Sequence, residues 1–197
     1  LRDEEVVLKV AKGLSVTHPD MDRWLLARTR REQRLRRGLM RRVTAGEIGA
    51  GRRMLAALLA FRVKPSRDLP LAKFGRRAVE TALRGVQRRR DAQPDDPEAL
   101  HQLRIAYKRL RYTVETFADT LPPDLGVLAQ PAANFQGRLG DIHDVDMVTA
   151  CVRRARSLSL PARQEVLDAL ARARQRLMRS YAEELALTAL APTIPPK

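Results

Sequence analysis

The sequence predicts an all-α protein built of antiparallel helical bundles, and three observations carry that prediction. Almost every segment between turn signals places its apolar residues at helical spacing. No run of β-branched alternation marks a strand. Proline-containing breaks with capping or turn residues cut the chain into helix-sized lengths.

Helices are expected at about 3–12, 20–44, 47–63, 68–91, 96–119, 125–138, 142–157 and 161–189. The second follows the break His18-Pro19-Asp20 and carries the apolar group Leu25, Leu35, Leu39 and Val43. The third holds the longest clean apolar stretch, Met54 to Phe61, and ends at Lys64-Pro65-Ser66. The fourth runs to Gln93-Pro94-Asp95-Asp96-Pro97, which opens the fifth with a capping residue and a proline. In that fifth helix Leu103, Tyr107, Leu110, Val114 and Phe117 recur at spacings of four and three, one apolar seam for the core. Leu121-Pro122-Pro123-Asp124 separates it from the sixth, and Gly140 reads as a stop before the acidic first turn Asp141-Ile142-His143-Asp144-Val145-Asp146 of the seventh. Leu160-Pro161 opens the last helix, and residues 192–197 form a frayed tail. Helices of about 25 residues are roughly 37 Å long, and with short connectors they pack most naturally as antiparallel bundles.

The 197 residues carry 38 Lys+Arg against 23 Asp+Glu, a net charge of +15, with 44% hydrophobic residues. That balance fits a globular domain with a polyanionic partner. Only six of the basic residues are lysines, so the excess is arginine, whose planar fork suits bidentate contacts to phosphate. Residues 1–97 hold 24 basic and 12 acidic groups, and residues 98–197 hold 14 and 11. The single Cys151 excludes an internal disulfide, making a reducing, cytoplasmic setting the default. No apolar segment approaches the length of a membrane span, and no secretory leader is visible. Aromatic residues are too few for a series of base-stacking platforms.

Much of the charge is arranged in stripes. His101, Arg104, Lys108 and Arg111 fall within about 80° of arc beside the apolar seam of their helix. Arg30, Arg34, Arg37 and Arg41 form a second line, opposite the apolar group of theirs. Lys73, Arg77, Arg84 and Arg88 form a third, and Arg172, Arg176 and Arg179 a fourth. A single stripe of this kind is ordinarily a solvated face. Four with few acidic neighbours point instead to an anion, because like charges one turn apart repel by a few tenths of a kcal/mol per pair until something neutralises them. Residues one turn apart are separated by about 5.4 Å, so a stripe suits a linear polyphosphate. His101, at the head of its stripe, reads as a phosphate donor.

Rival chemistries have weaker support. His18, His101 and His143 lack ligand spacing among themselves, so no metal site is expected. Asp141, Asp144 and Asp146 suit Mg²⁺ chemically, but helix capping accounts for them more simply. No nucleophile elbow, Walker loop, HExxH or dinucleotide fingerprint is present, so no catalytic residue and no cofactor are expected.

The segment from His101 to Tyr112, HQLRIAYKRLRY, with Glu115 and Phe117 after it, resembles the signature helix of the CHAD family, the conserved histidine α-helical domain. Downstream, Leu139-Gly140-Asp141-Ile142-His143-Asp144-Val145-Asp146 resembles that family's LG-x-x-x-D-x-D turn. The resemblance implies two four-helix repeats with a basic cavity between them, binding inorganic polyphosphate without catalysis, often on polyphosphate granules. The positions it carries over are His101, Arg104, Lys108, Arg109, Arg111 and Tyr112, although helical geometry points Arg109 away from the stripe towards another helix or an acidic partner. An internal repeat agrees: Arg2-Asp3-Glu4-Glu5-Val6-Val7 aligns with His143-Asp144-Val145-Asp146-Met147-Val148, and the helix of Arg30, Arg34 and Arg37 with that of Arg172, Arg176 and Arg179. On this register residues 1–66 are the remainder of a first repeat whose His-x-x-Arg helix is missing ahead of Leu1, and 67–191 are a complete second repeat. The alternative partner is nucleic acid, held through its backbone by the same positive field. A phosphoanhydride-cleaving enzyme would need carboxylates holding Mg²⁺ beside a basic stripe.

Overall fold

The computed structural model describes residues 1–60 and 70–187, and within them the chain is helical, with turns between helices and no strand. The helices are α1 (Arg2–Lys12), α2 (Pro19–Thr44), α3 (Glu47–Ala60), α4 (Leu71–Gln87), α5 (Pro97–Thr116), a short α6 (Pro123–Gly126), α7 (Ala129–Arg153) and α8 (Leu160–Leu187), with one 3₁₀ turn at Ala118–Thr120. The break at Lys64-Pro65-Ser66 and the tail 192–197 lie outside the described residues.

Capping chemistry sets several boundaries. His18 caps α2, its Nδ1 accepting from the Asp20 amide at 3.1 Å, with Pro19 in the first turn. Asp96 caps α5, its Oδ1 accepting from the Glu98 and Ala99 amides at 3.0 Å each. Gly46, at φ 82°, supplies the left-handed residue between α2 and α3 that other side chains resist.

One expected boundary is overturned. Gly140 is not a helix stop: most of the residues expected in two helices, at 125–138 and 142–157, form the single 25-residue α7. Asp141, Asp144 and Asp146 therefore lie in mid-helix, where they cap nothing. A β-carbon at Gly140 would sit 3.5 Å from Arg104 Nε, an ordinary contact, so an alanine fits there while a longer side chain would press on Arg104.

Two buried clusters hold the helices together. Val79 and Leu83 of α4, Leu103, Tyr107 and Leu110 of α5, Phe135, Leu139 and Ile142 of α7 and Tyr181 of α8 form one. Val7 and Ala11 of α1, Met21 and Trp24 of α2, Val145, Val148 and Val152 of α7 and Val166 and Leu170 of α8 form the other. α7 and α8 thus contribute to both. At 25 cal/mol per Å², each fully buried Leu, Val or Phe adds about 1.5–3 kcal/mol before conformational entropy is charged against it.

The apolar group of α2 departs from expectation. Only Leu25 packs against a cluster, whereas Leu35 is 41% and Leu39 48% exposed, and Val43 is exposed with them. In the repeat alignment that pairs Arg30 with Arg172, these three correspond to Leu177, Tyr181 and Leu185 of α8, which pack in the cluster with α4 and α5. Among the described residues no such pair of helices covers α2. The apolar side chains of α3 are open as well, Met54 at 68% and Leu59 at 78%.

Candidate functional site

The buried seam of α5 fixes its rotation. Leu103, Tyr107, Leu110 and Val114 face the core, Tyr107 stacked on Phe135 with centroids 5.1 Å apart, and burial pushes the Tyr107 phenol pKa up. The neighbouring edge, His101-Arg104-Lys108-Arg111, is thereby held along the α5–α7 interface at its N-terminal end and open to solvent further on.

At that N-terminal end His101 meets His143 of α7, with ring centroids 4.5 Å apart and planes tilted by 37°. One turn along, Arg104 Nε lies beside Gly140 of α7, 3.5 Å from where a β-carbon would stand. His101 Nδ1, Arg104 Nε and Gln136 Oε1 are buried with no hydrogen-bond partner in the protein. Gln136, Gly140 and His143 share one face of α7 by their spacing of four and three. A buried polar atom left unpaired costs about 1–3 kcal/mol. Burial lowers the pKa of His143, and the charges of His101 and Arg104 lower it further, against a weaker opposing pull from Asp144 and Asp146. Asp146 is held by Arg174 of α8 through Nε at 2.6 Å and Nη2 at 3.4 Å.

Further along the edge Tyr112 is flanked by two cations, Lys108 Nζ at 5.8 Å and the Arg111 guanidinium at 5.5 Å from its ring centroid. Arg111 Nε also donates to Glu115 Oε1 at 2.7 Å, which orients the guanidinium while its Nη donors remain for another acceptor. Arg109 turns to the other side of α5, as its helical position required. There it lines a groove of about 160 Å³ with Arg88 and Arg89, in the turn just past the end of α4.

The other stripes lie on other helices. Arg30, Arg34, Arg37 and Arg41 are exposed on α2, and Arg34, Arg37 and Arg41 line an open concavity of about 730 Å³ with Arg36 and Met40. Lys73 and Arg77 are exposed on α4, as are Arg172, Arg176 and Arg179 on α8. The structure thus brings His101 and Arg104 together with His143 and Gly140, keeps Lys108, Arg111 and Tyr112 on the same edge, and leaves the remaining arginines exposed on other helices. Asp141, Asp144 and Asp146 diverge around α7: Asp141 lines a concavity with Arg138 and Glu184, while Asp146 faces Arg174.

Sequence reasoning missed three site-related groups. His143 gave no sign of facing His101, since the two are on different helices. Arg28 and Arg31 fall outside the α2 stripe, yet both grip Glu4, a carboxylate only 6% exposed, through Arg28 Nη1 at 2.9 Å and Arg31 Nε at 2.8 Å. The signal was present in α1, where Glu4 occupies the same stripe as the buried Val7 and Ala11. Arg28 Nη2 also lies 2.7 Å from Cys151 Sγ, tying α2 to α7.

Chemically, the α5–α7 edge offers guanidinium, ammonium and imidazole groups in a row, two of their nitrogens unpaired. Groups of these types can donate charge-assisted hydrogen bonds to an anion. No helix among the described residues is long and apolar enough to cross a membrane. The chain matches the family model for the CHAD domain over residues 1–153. No curated protein and no solved structure matches it.

Proposed function

The chain belongs to the CHAD-domain family, and from that premise we propose that it binds inorganic polyphosphate along the α5–α7 edge without catalysing its cleavage. The observation that carries this reading is the pair of buried, unpartnered nitrogens, His101 Nδ1 and Arg104 Nε, at the head of a row of cations. A phosphate oxygen in that position would satisfy both and relieve the repulsion among their charges. Lys108, Arg111 and Tyr112 extend the same edge to about three turns in all, enough to follow several phosphate units. The exposed stripes Arg30-Arg34-Arg37-Arg41, Lys73-Arg77 and Arg172-Arg176-Arg179 add a long-range field that speeds capture and makes binding salt-dependent.

Replacing Arg104, Lys108 and Arg111 together by Ala tests the assignment. Retention of long-chain polyphosphate is expected to fall at least tenfold, while circular dichroism and the melting transition remain those of a folded protein. Unchanged affinity in the folded triple variant refutes the site. Competition at equal phosphate concentration separates polyphosphate from the nucleic-acid alternative: displacement by duplex DNA or RNA at parity would show a general backbone binder.

A further inference from the structure

His143 belongs to a motif segment whose sequence reading assigned it no ligand role. We propose that His143 is a second imidazole contact for the bound anion, reaching it from α7 opposite His101, and that binding takes up a proton from solvent onto this ring. The proposal rests on the polyphosphate reading and adds to it a residue and a pH dependence.

The geometry comes first. The His101 and His143 rings touch, and Arg104 lies against Gly140, one turn before His143 on α7. An anion that satisfies Arg104 Nε and His101 Nδ1 is therefore within reach of the His143 edge.

The charges around the ring then set its response. From α5 it faces His101 and Arg104, and along its own helix Asp144 and Asp146. From α8, Arg174 engages Asp146 and so blunts that carboxylate's pull. On the α1–α2 side, Glu4 is already neutralised by Arg28 and Arg31, and Arg28 reaches α7 at Cys151. Without ligand, positive neighbours and partial burial both oppose the imidazolium. A polyanion across the seam reverses the sign of the nearest charge, so the imidazolium becomes the favoured form and the complex holds a proton that the free protein lacks.

Linkage to one proton strengthens binding by at most about tenfold per pH unit. Long-chain sodium polyphosphate is the suitable probe, because inner phosphates keep their charge throughout this range and chain ends are few. Titration calorimetry between pH 5.5 and 8, in two buffers of different ionisation enthalpy, reads affinity and proton uptake together.

The wild-type affinity is expected to rise at least threefold as the pH falls from 8 to 6, with net uptake near pH 7. In His143→Gln and His143→Asn both the slope and the uptake are expected to shrink, while His18→Gln, a helix-cap variant away from the seam, leaves them unchanged. Polyphosphate binding with the same pH slope and uptake in both His143 variants would overturn the inference and leave the polyphosphate reading standing. No binding by the wild-type protein anywhere in the range would overturn both.

Discussion

Gly140→Ala distinguishes the two roles that a glycine can play at this point in the chain. At a helix terminus with positive φ, a β-carbon would cost stability. Gly140 instead lies inside α7, and among the described glycines only Gly46 has positive φ. In a helix interior, Ala is favoured over Gly by about 0.8–1 kcal/mol. The new methyl group would stand 3.5 Å from Arg104 Nε, an ordinary contact, so little repulsion is subtracted. Gly140→Ala is therefore expected to stabilise the protein by about 0.5–1 kcal/mol, raising Tm by about 1–4 °C for a chain of this length. Differential scanning calorimetry at fixed pH and salt, without polyphosphate, measures it. Binding should stay within about twofold of wild type, whereas Gly140→Leu should displace Arg104 and weaken it. A lowered Tm in the alanine variant would refute the continuous helix and restore the stop that the sequence predicts.

Gly75→Ala should act in the opposite direction. Its β-carbon would meet Phe117 Cγ at 3.0 Å, forcing the ring from its contact with Phe74, and a loss of about 1–2 kcal/mol in urea unfolding is expected. The pH dependence of stability also has a defined sign. His143 has a lowered pKa in the folded chain, so between that value and the ordinary 6.5 the unfolded chain binds more protons and stability rises with pH. Denaturant midpoints measured without ligand should accordingly fall from pH 7 to pH 5, and His143→Gln should flatten the fall.

Where the sequence was legible, local chemistry and tertiary structure agreed. Asp96 and Pro97 mark the start of α5, and the spacing from Leu103 to Val114 orients it, so the edge bearing His101 and Arg104 follows from the sequence alone. α7 was misread because a glycine followed by carboxylates satisfies every local rule for a boundary. The glycine's actual place, in mid-helix beside a guanidinium from a helix distant in sequence, is invisible to those rules. Leu35, Leu39 and Val43 show a second limit: periodicity identifies an apolar face, but not whether another element covers it. The His101–His143 contact shows a third. A pairing between helices leaves no periodic trace in either one.

The sharing of α7 bears on how the molecule unfolds. Ile142 is buried in one cluster and Val145 in the other, less than one helical turn apart. Neither cluster can lose its segment of α7 without disturbing the hydrogen-bonded turns that carry the other segment. The described helices should melt in one cooperative transition rather than as two independent units. His143 sits at that junction, so a polyanion held there would clamp both halves of α7 and protect amides on either side of it from hydrogen exchange.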